Sequence, residues 1–534
     1  MQFKFTKFAT VLIASGIISL PITASANDST ELEELRGLVQ ELSQQVKILA
    51  RKGEITAEES AAAAKAAPVV KASSSGFSFA SNDGKNEIKF RGVVQADHRH
   101  FSEGASDVRN RSRNRAGLLN AEGFNAAEDT SLLRRVRPTI EGKVAGKYGF
   151  RFTPEFAGGS ASVVDAYVEA NLNPAFNIRA GKFKSFVGLE RSQSGNDIKF
   201  IERSYVSNAI LPNRDLGIAL YGDVLDKKLN YAVGIVNGVN DGGNISTGTE
   251  YNGEREYTAR LFASPFKDSD SALAGLGFGV GATWTDFTGE QNLNFTDTSS
   301  ADATRNGLPS YVTNSQQTFF RYGGNVIADG KRFRVSPQAS YYNGPFGLIT
   351  EYARVEQDVS LTARNPGGTT NDALGFLAGT HKKLSHDAWQ VAASYLITGE
   401  DSSFKGIKPK ADFDLDKGGW GAWELVARYS EINLDSDTFK NRNGAFSGEN
   451  QNSGTPVGIN SAYSDGTLSA KSAKSWTAGV NWYLNSNAKI ALNYEQTSFD
   501  GGASSNGATA NATGTNIKDR PDERALLARF QVAF

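Results

Sequence analysis

Cysteine is absent from the 534 residues, which excludes disulfides, thiol catalysis and thiolate metal sites. Histidine occurs four times and proline 14 times, so imidazole chemistry has little material and stability has to come from regular structure. After the first 26 residues no run of eighteen apolar residues occurs. A membrane helix is therefore excluded, and a membrane form requires a closed barrel. No charge excess exists either: 57 basic residues face 58 acidic ones, a formal charge of −1, which gives no signature of nucleic-acid binding. G-x-S-x-G, Walker and C-x-x-C motifs are all missing. No motif performs chemistry, so the expectation is a protein that is not an enzyme and needs no cofactor or metal. His98 and His100, which flank Arg99, read as solvated rim residues.

What is abundant points one way. Fifty-five glycines supply turns, while 32 Phe, 17 Tyr and 6 Trp supply interfacial girdles. The last eleven residues, Arg524 to Phe534, alternate with period two: Leu526, Ala528, Phe530, Val532 and Phe534 share one face, and Arg529 lies on the other. A greasy face ending on phenylalanine and a mixed face with an arginine suit the closing strand of an outer-membrane barrel. At the other end, Lys4 and Lys7 precede an apolar run to Leu20, and Ala24-Ser25-Ala26 fits a cleavage site, so residues 1–26 read as a signal peptide.

Leu32, Val39 and Val46, with Leu35, Leu42 and Leu49, give the a and d positions of a short heptad repeat, predicting a coiled-coil helix over 27–52. Residues 53–86 read as an Ala/Ser-rich linker, and 87–534 as the barrel. Alternating segments then recur between polar loops. Tyr148, Phe150, Phe152 and Phe156 form one such face; Trp476 to Leu484 turns through Asn485-Ser486-Asn487 into Ile490, Leu492 and Tyr494. Long loops such as 292–316, 358–384, 435–474 and 500–521 alternate with short turns, as outer-membrane barrels do. Candidate strands number roughly seventeen, but such barrels have an even count. Gln316 to Ala328, which carries Gly-Gly, is assigned to a loop folding inward. The expected fold is all-β: a transmembrane antiparallel barrel of about sixteen strands, wide enough for a water-filled channel.

The faces opposite the apolar ones carry Lys89, Arg91, Gln95 and Asp97; Arg135, Arg137, Thr139 and Glu141; Arg151 and Glu155; Asp165 and Glu169; Arg260; Arg332 and Arg334; Glu424 and Arg428; Lys489 and Glu495; and Arg529. These are the lumen candidates. In Leu132 to Arg137 (LLRRVR), alternation sends Arg135 and Arg137 inward and leaves Arg134 on the lipid face unless the strand bends there. Guanidinium groups bind phosphate or carboxylate at two points, which makes this cluster the leading anion-site candidate.

Several blocks resemble the phosphate-selective porin O and P family: FRGVVQAD at 90–97, LLRRVRPTIEGKVAGKYGFRFTPEF at 132–156, VVDAYVEANL at 163–172, IRAGKFKSFVGLE at 178–190, NDIKFIERS at 196–204, ITGE at 397–400, GAWELVARY at 421–429 and AGVNWYLN at 478–485. The resemblance implies a trimeric, sixteen-stranded bacterial outer-membrane channel with inward-folded loops and an anion pathway of arginines and lysines. It matches Arg134 and Arg135 to the family's constriction arginines and Asp165 to an acidic residue at that level. Departures are visible too. Val93 stands where an arginine is frequent, Asn196 aligns with a constriction lysine of the phosphate-specific members, and the loop 292–316 holds Arg305 where they carry an arginine run.

The leading expectation is a passive outer-membrane porin for small anions, with phosphate and polyphosphate as candidate solutes. A general, weakly selective porin and a structural or adhesive outer-membrane protein are the alternatives. Expected partners are small anions, outer-membrane lipid and lipopolysaccharide, two further copies of the chain, and periplasmic or cell-wall material met by the N-terminal helix.

Overall fold

The computed structural model describes residues 28–102, 129–239, 253–289, 306–323, 326–361, 380–440, 447–449, 456–458, 462–466, 468–504 and 517–534. The expected signal peptide and Arg305 lie outside them. The chain divides into two compact units, Met1–Ala67 and Pro68–Phe534.

The described residues of the first unit include the helix α1 (Asp28–Ala66), which continues well past the expected boundary at residue 52. The reason is local: Glu54 to Ala66 is dominated by Ala, Glu and Lys, strong helix formers that a linker reading undervalues. Its heptad residues Leu32, Leu35, Val39, Leu42, Val46 and Leu49 are all exposed. The rest of the expected linker also folds. Val69–Ser73 and Gly76–Ala80 form a hairpin whose second strand pairs Phe77 with Phe90 and Ala80 with Glu87 at the start of the barrel. Gly76 has φ +112°, and a Cβ there would stand 2.2 Å from the Phe90 carbonyl oxygen, so the hairpin needs glycine at this point.

Sixteen antiparallel strands close the second unit into a barrel. They are β1 (Glu87–Phe101), β2 (Thr130–Val144), β3 (Tyr148–Glu155), β4 (Ser162–Asn173), β5 (Phe176–Lys184), β6 (Arg214–Val224), β7 (Leu229–Val236), β8 (Glu256–Ala263), β9 (Leu276–Thr288), β10 (Val326–Asn343), β11 (Phe346–Leu361), β12 (Lys382–Leu396), β13 (Ala422–Asn433), β14 (Ala470–Tyr483), β15 (Ala488–Ser504) and β16 (Glu523–Ala533). β16 closes on β1 from Ala525↔Phe101 to Ala533↔Val93, and the Phe534 and Gly92 backbones exchange hydrogen bonds of 2.8 and 3.0 Å. The predicted pairing of β14 with β15 is present as Trp482↔Ile490, Val480↔Leu492 and Ala478↔Tyr494.

Burial is inverted relative to a soluble protein. Phe152, Val168, Leu261, Phe333, Leu425, Trp476 and Phe530 are exposed on successive parts of the wall, while Gln95, Arg334, Glu424, Asn481 and Arg529 are buried inside it. A soluble monomer tolerates apolar patches of only about 300–600 Å². A continuous apolar belt with a polar interior is what lipid outside and water inside select. The wall is uneven: β3, β7 and β8 have 8 residues each, against 18 in β10 and 17 in β15.

Two segments depart from the expected loop pattern. Within Gln316 to Ala328, Thr318–Arg321 pairs with Ser310–Val312 as a buried hairpin, in line with an inward fold, but Val326 to Ala328 already belong to β10. The connection 397–421 is long although it lies on the short-turn side; its Phe404 carbonyl accepts a 2.9 Å bond from Gln193 Nε2 of the loop between β5 and β6.

Candidate functional site

The loop of residues 185–213, between β5 and β6, folds into the barrel. It starts with a short helix (Leu189–Ser192) and ends with a π-helical turn (Val206–Ile210). Its far side is fixed to the tall wall. Glu351 on β11 accepts the Leu189 and Glu190 amides at 2.6 and 3.0 Å, Lys199 Nζ meets Glu424 on β13 at 2.7 Å, and the Ile201 amide donates to Asn493 on β15 at 2.8 Å. Glu495 on β15 is held by Thr477 and by Ser315 of the inner hairpin. These contacts occupy Glu351, Glu424 and Glu495 of the tall wall.

Apolar packing completes the attachment. Tyr205, Val206, Ile210 and Leu211 pack on Tyr311, Phe319 and Phe320 of the hairpin and on Ala353, Ala388 and Ala473 of the wall. Inward-facing alanines leave the room that the loop fills. Each such large side chain contributes about 1.5–3 kcal/mol, so the loop is a fixed part of the interior.

The near side faces β2 to β6, where arginines and lysines concentrate. Arg137 meets Glu155 at 2.5 Å, Arg151 meets Glu141 at 2.5 Å, Arg179 meets Glu169 at 2.7 Å and Arg214 meets Asp165 at 2.9 Å. Arg135 and Lys184 instead bond uncharged acceptors: Gln95 Oε1 at 2.5 Å and the Gln193 carbonyl at 2.7 Å. The same Gln193 carbonyl accepts Arg203 Nη2 at 2.9 Å, so an ammonium and a guanidinium converge on one oxygen. Burial pulls the Arg203 guanidinium below its ordinary value; Glu190 opposes this and Arg214 adds to it. Arg135, Lys184 and Arg203 thus all bond uncharged oxygens beside the loop's rim.

That rim is the stretch Ser192 to Asp197, with Ser192 and Ser194 exposed. A Cβ on Gly195 would stand 3.0 Å from Arg135 Nε, so glycine lets the rim close on this guanidinium. Asn196 is present at the rim, and its carbonyl accepts Gln531 Nε2 at 3.1 Å and Lys489 Nζ at 3.4 Å. Burial raises the Asp197 carboxyl above its ordinary range even though Lys489, Lys199, Lys184 and Lys405 pull the other way.

Arg134 is not on the lipid face. The β1–β2 register passes from Gln95↔Arg135 to Ala96↔Leu133, so Arg134 is the extra residue of a β-bulge. Its side chain turns to Glu202 of the inward loop, Nε to Oε1 at 2.6 Å and Nη2 to Oε2 at 3.0 Å. Arg99 reaches the same carboxylate at 2.8 Å. Burial pushes Glu202 up, but Arg134, Arg99 and Arg529 outweigh it and hold the carboxyl well below the usual range.

The remaining candidates are spread over the interior. Arg529 forks onto Asp97 at 2.7 and 2.8 Å. Arg332 and Arg334 meet Glu256 at 3.3 and 2.7 Å, and Arg260 bonds Gln338 and Asn230. Arg428 donates to the Glu202 carbonyl at 2.8 Å and stacks over Phe200. Arg91 joins Arg151 on Glu141, and Lys89 Nζ reaches Ser75 Oγ at 3.1 Å beside the N-terminal hairpin. His98 bonds Ser131 and His100 bonds Asp129; among the described residues no group of side chains could hold a metal. Sequence reasoning missed Arg179, Lys184, Glu202, Arg203 and Arg214. The first two were signalled by their place in a strand-like run, IRAGKFK.

A family model for phosphate-selective porin O and P matches residues 108–534. Among solved structures the chain is similar to the anion-selective porin from Comamonas acidovorans, at 11% identity over 84% of this chain and 100% of that one, with a TM-score of 0.45. It is also similar to the outer membrane channel DcaP of Acinetobacter baumannii, at 12% identity over 84% and 97%, TM-score 0.44. The trimer form of OmpT from Vibrio cholerae matches at 11% identity over 84% and 99%, TM-score 0.43. No curated protein matches the sequence. By the span of its family match and its closed sixteen-strand barrel, the chain belongs to the phosphate-selective porin O and P family and is an outer-membrane porin for anions.

Proposed function

We propose that small anions, phosphate and polyphosphate among them, diffuse passively between the rim Ser192 to Asp197 and the wall of β2 to β6, with no covalent chemistry on the way. One observation carries this reading: the inward loop occupies the carboxylates Glu351 and Glu424 of the far wall, while Arg135, Lys184 and Arg203 at its near side bond uncharged oxygens. Fixed charge in a narrow, poorly screened passage acts on ions far more strongly than the same charge at an open rim. Arg137 and Asp165, paired to Glu155 and Arg214, shape the wall beside it.

The weakly selective alternative has its own support, since the four arginine–carboxylate pairs of this wall cancel most of its charge. Selectivity then rests on a few residues rather than on the whole lumen. A reversal potential across a potassium chloride gradient separates the two readings. Anion preference together with block of chloride current by added phosphate supports the first; equal permeability supports the second.

The chain works as a homotrimer in this reading. A strand tilted at about 45° needs roughly 9–11 residues to span the hydrocarbon layer. The 8-residue strands β3, β7 and β8 fall short, so this low wall is covered by neighbouring subunits and the tall wall by lipid and lipopolysaccharide. The exposed heptad face of α1 joins its copies in a coiled coil on the periplasmic side, within reach of cell-wall material, after removal of residues 1–26.

A further inference from the structure

We propose that Glu202 is the resident anion of a preformed oxyanion site, and that by filling it this side chain limits how strongly the channel holds passing anions. The inference rests on the anion-pathway reading above. Three guanidinium groups from three strands converge on the Glu202 carboxylate: Arg134 of β2 at 2.6 and 3.0 Å, Arg99 of β1 at 2.8 Å and Arg529 of β16 at 3.9 Å. A two-point fork from one arginine with single contacts from others is how proteins take up a free carboxylate or phosphate. Here the ligand is carried by the chain itself.

Arg134 reaches the carboxylate because β2 spends an extra residue at this point, and bulges serve to re-aim a side chain. Asp97 already satisfies Arg529 with a fork of 2.7 and 2.8 Å and touches Arg99 at 3.3 Å. Without Glu202, three guanidiniums would surround one carboxylate, with Arg135 beside them. Arg134 keeps 28% of its side-chain surface open, while the Glu202 carboxylate it holds is itself buried. A tethered carboxylate acts at an effective concentration of mM or more, so free anions at lower concentration do not displace it. The site accepts a small oxyanion able to present two oxygens, a carboxylate or a phosphate.

The test is Glu202→Gln in the full-length channel in planar bilayers, with inorganic phosphate as the probe. The backbone carbonyl that Arg428 uses is retained. The anion-to-cation permeability ratio should rise about threefold or more, and the phosphate concentration that halves chloride current should fall about tenfold. Glu202→Asp, one methylene shorter but still charged, should lie between E202Q and wild type. Wild-type ratio and wild-type block in a correctly inserted E202Q overturn the proposal. Should E202Q fail to insert, E202D decides: an intermediate shift supports the proposal, and unchanged values overturn it. A cation-preferring wild type would defeat the anion-pathway reading itself, whereas an anion-preferring wild type with unaltered E202Q defeats this inference alone.

Discussion

Arg134 and Glu202 stand 68 residues apart in the chain and meet in a two-point salt bridge of 2.6 and 3.0 Å that ties the second barrel strand to the loop inside the pore. The arginine that alternation sends toward lipid is thus an internal strut. Its neighbour Arg135, held by Gln95 and closed on by Gly195, is the one that faces the rim.

These two arginines should therefore separate in their effects. Breaking a buried ion pair from one side costs roughly 3–5 kcal/mol, and Arg99 remains to offset part of it, so Arg134→Ala should cost about 2–3 kcal/mol. Heat-dependent mobility on gels reads this loss. Arg135→Ala should leave that mobility within the wild-type range and lower the anion preference measured by reversal potential.

The loop's anchor can be cut without touching the cationic wall. Glu351→Ala leaves the Leu189 and Glu190 amides without their acceptor, and each buried unsatisfied donor costs about 1–3 kcal/mol. Single-channel records should show larger and noisier conductance with weaker selectivity. Quiet, wild-type openings would mean that the apolar packing around Tyr205 holds the loop unaided.

Asp197 gives a pH dependence. Its carboxyl lies above the ordinary range, so as pH falls it takes up a proton before an unperturbed aspartate would, and negative charge leaves the rim. Anion preference should increase as pH falls toward the carboxylate range, and should do so at a higher pH than an unperturbed aspartate would give. Asp197→Asn should show the high preference throughout and remove the pH step.

Deleting residues 27–67 should leave an inserted, trimeric channel, because α1 forms a unit of its own. Extending the deletion through residue 80 should impair assembly, since it strips the hairpin that pairs with Phe90 and Glu87. Native gels of both truncations check the difference.

What the sequence made legible follows from period two. The closing strand, the β14–β15 hairpin and the buried side of Gln95, Asp97, Arg135, Glu424 and Arg529 follow from alternation that lipid outside and water inside enforce. Arg134 escaped because a bulge breaks that period by one residue, and a bulge is fixed by the partner strand. Glu202 and Arg214 escaped for a related reason: their partners lie in other strands, where local spacing carries no information, and Arg203 bonds carbonyls of its own irregular loop, which has no period to read. The α1 extension and the N-terminal hairpin were lost to composition, since an Ala-rich segment reads as linker until its helix propensity is weighed.

The most direct measurement is the reversal potential of Arg135→Gln/Lys184→Gln, two cations whose acceptors are uncharged and whose removal strands no carboxylate. If anions cross between the rim and the wall of β2 to β6, the double variant shifts toward equal permeability and phosphate block weakens. Wild-type reversal potential and wild-type block in a folded double variant would place the anion pathway elsewhere in the barrel and contradict the account.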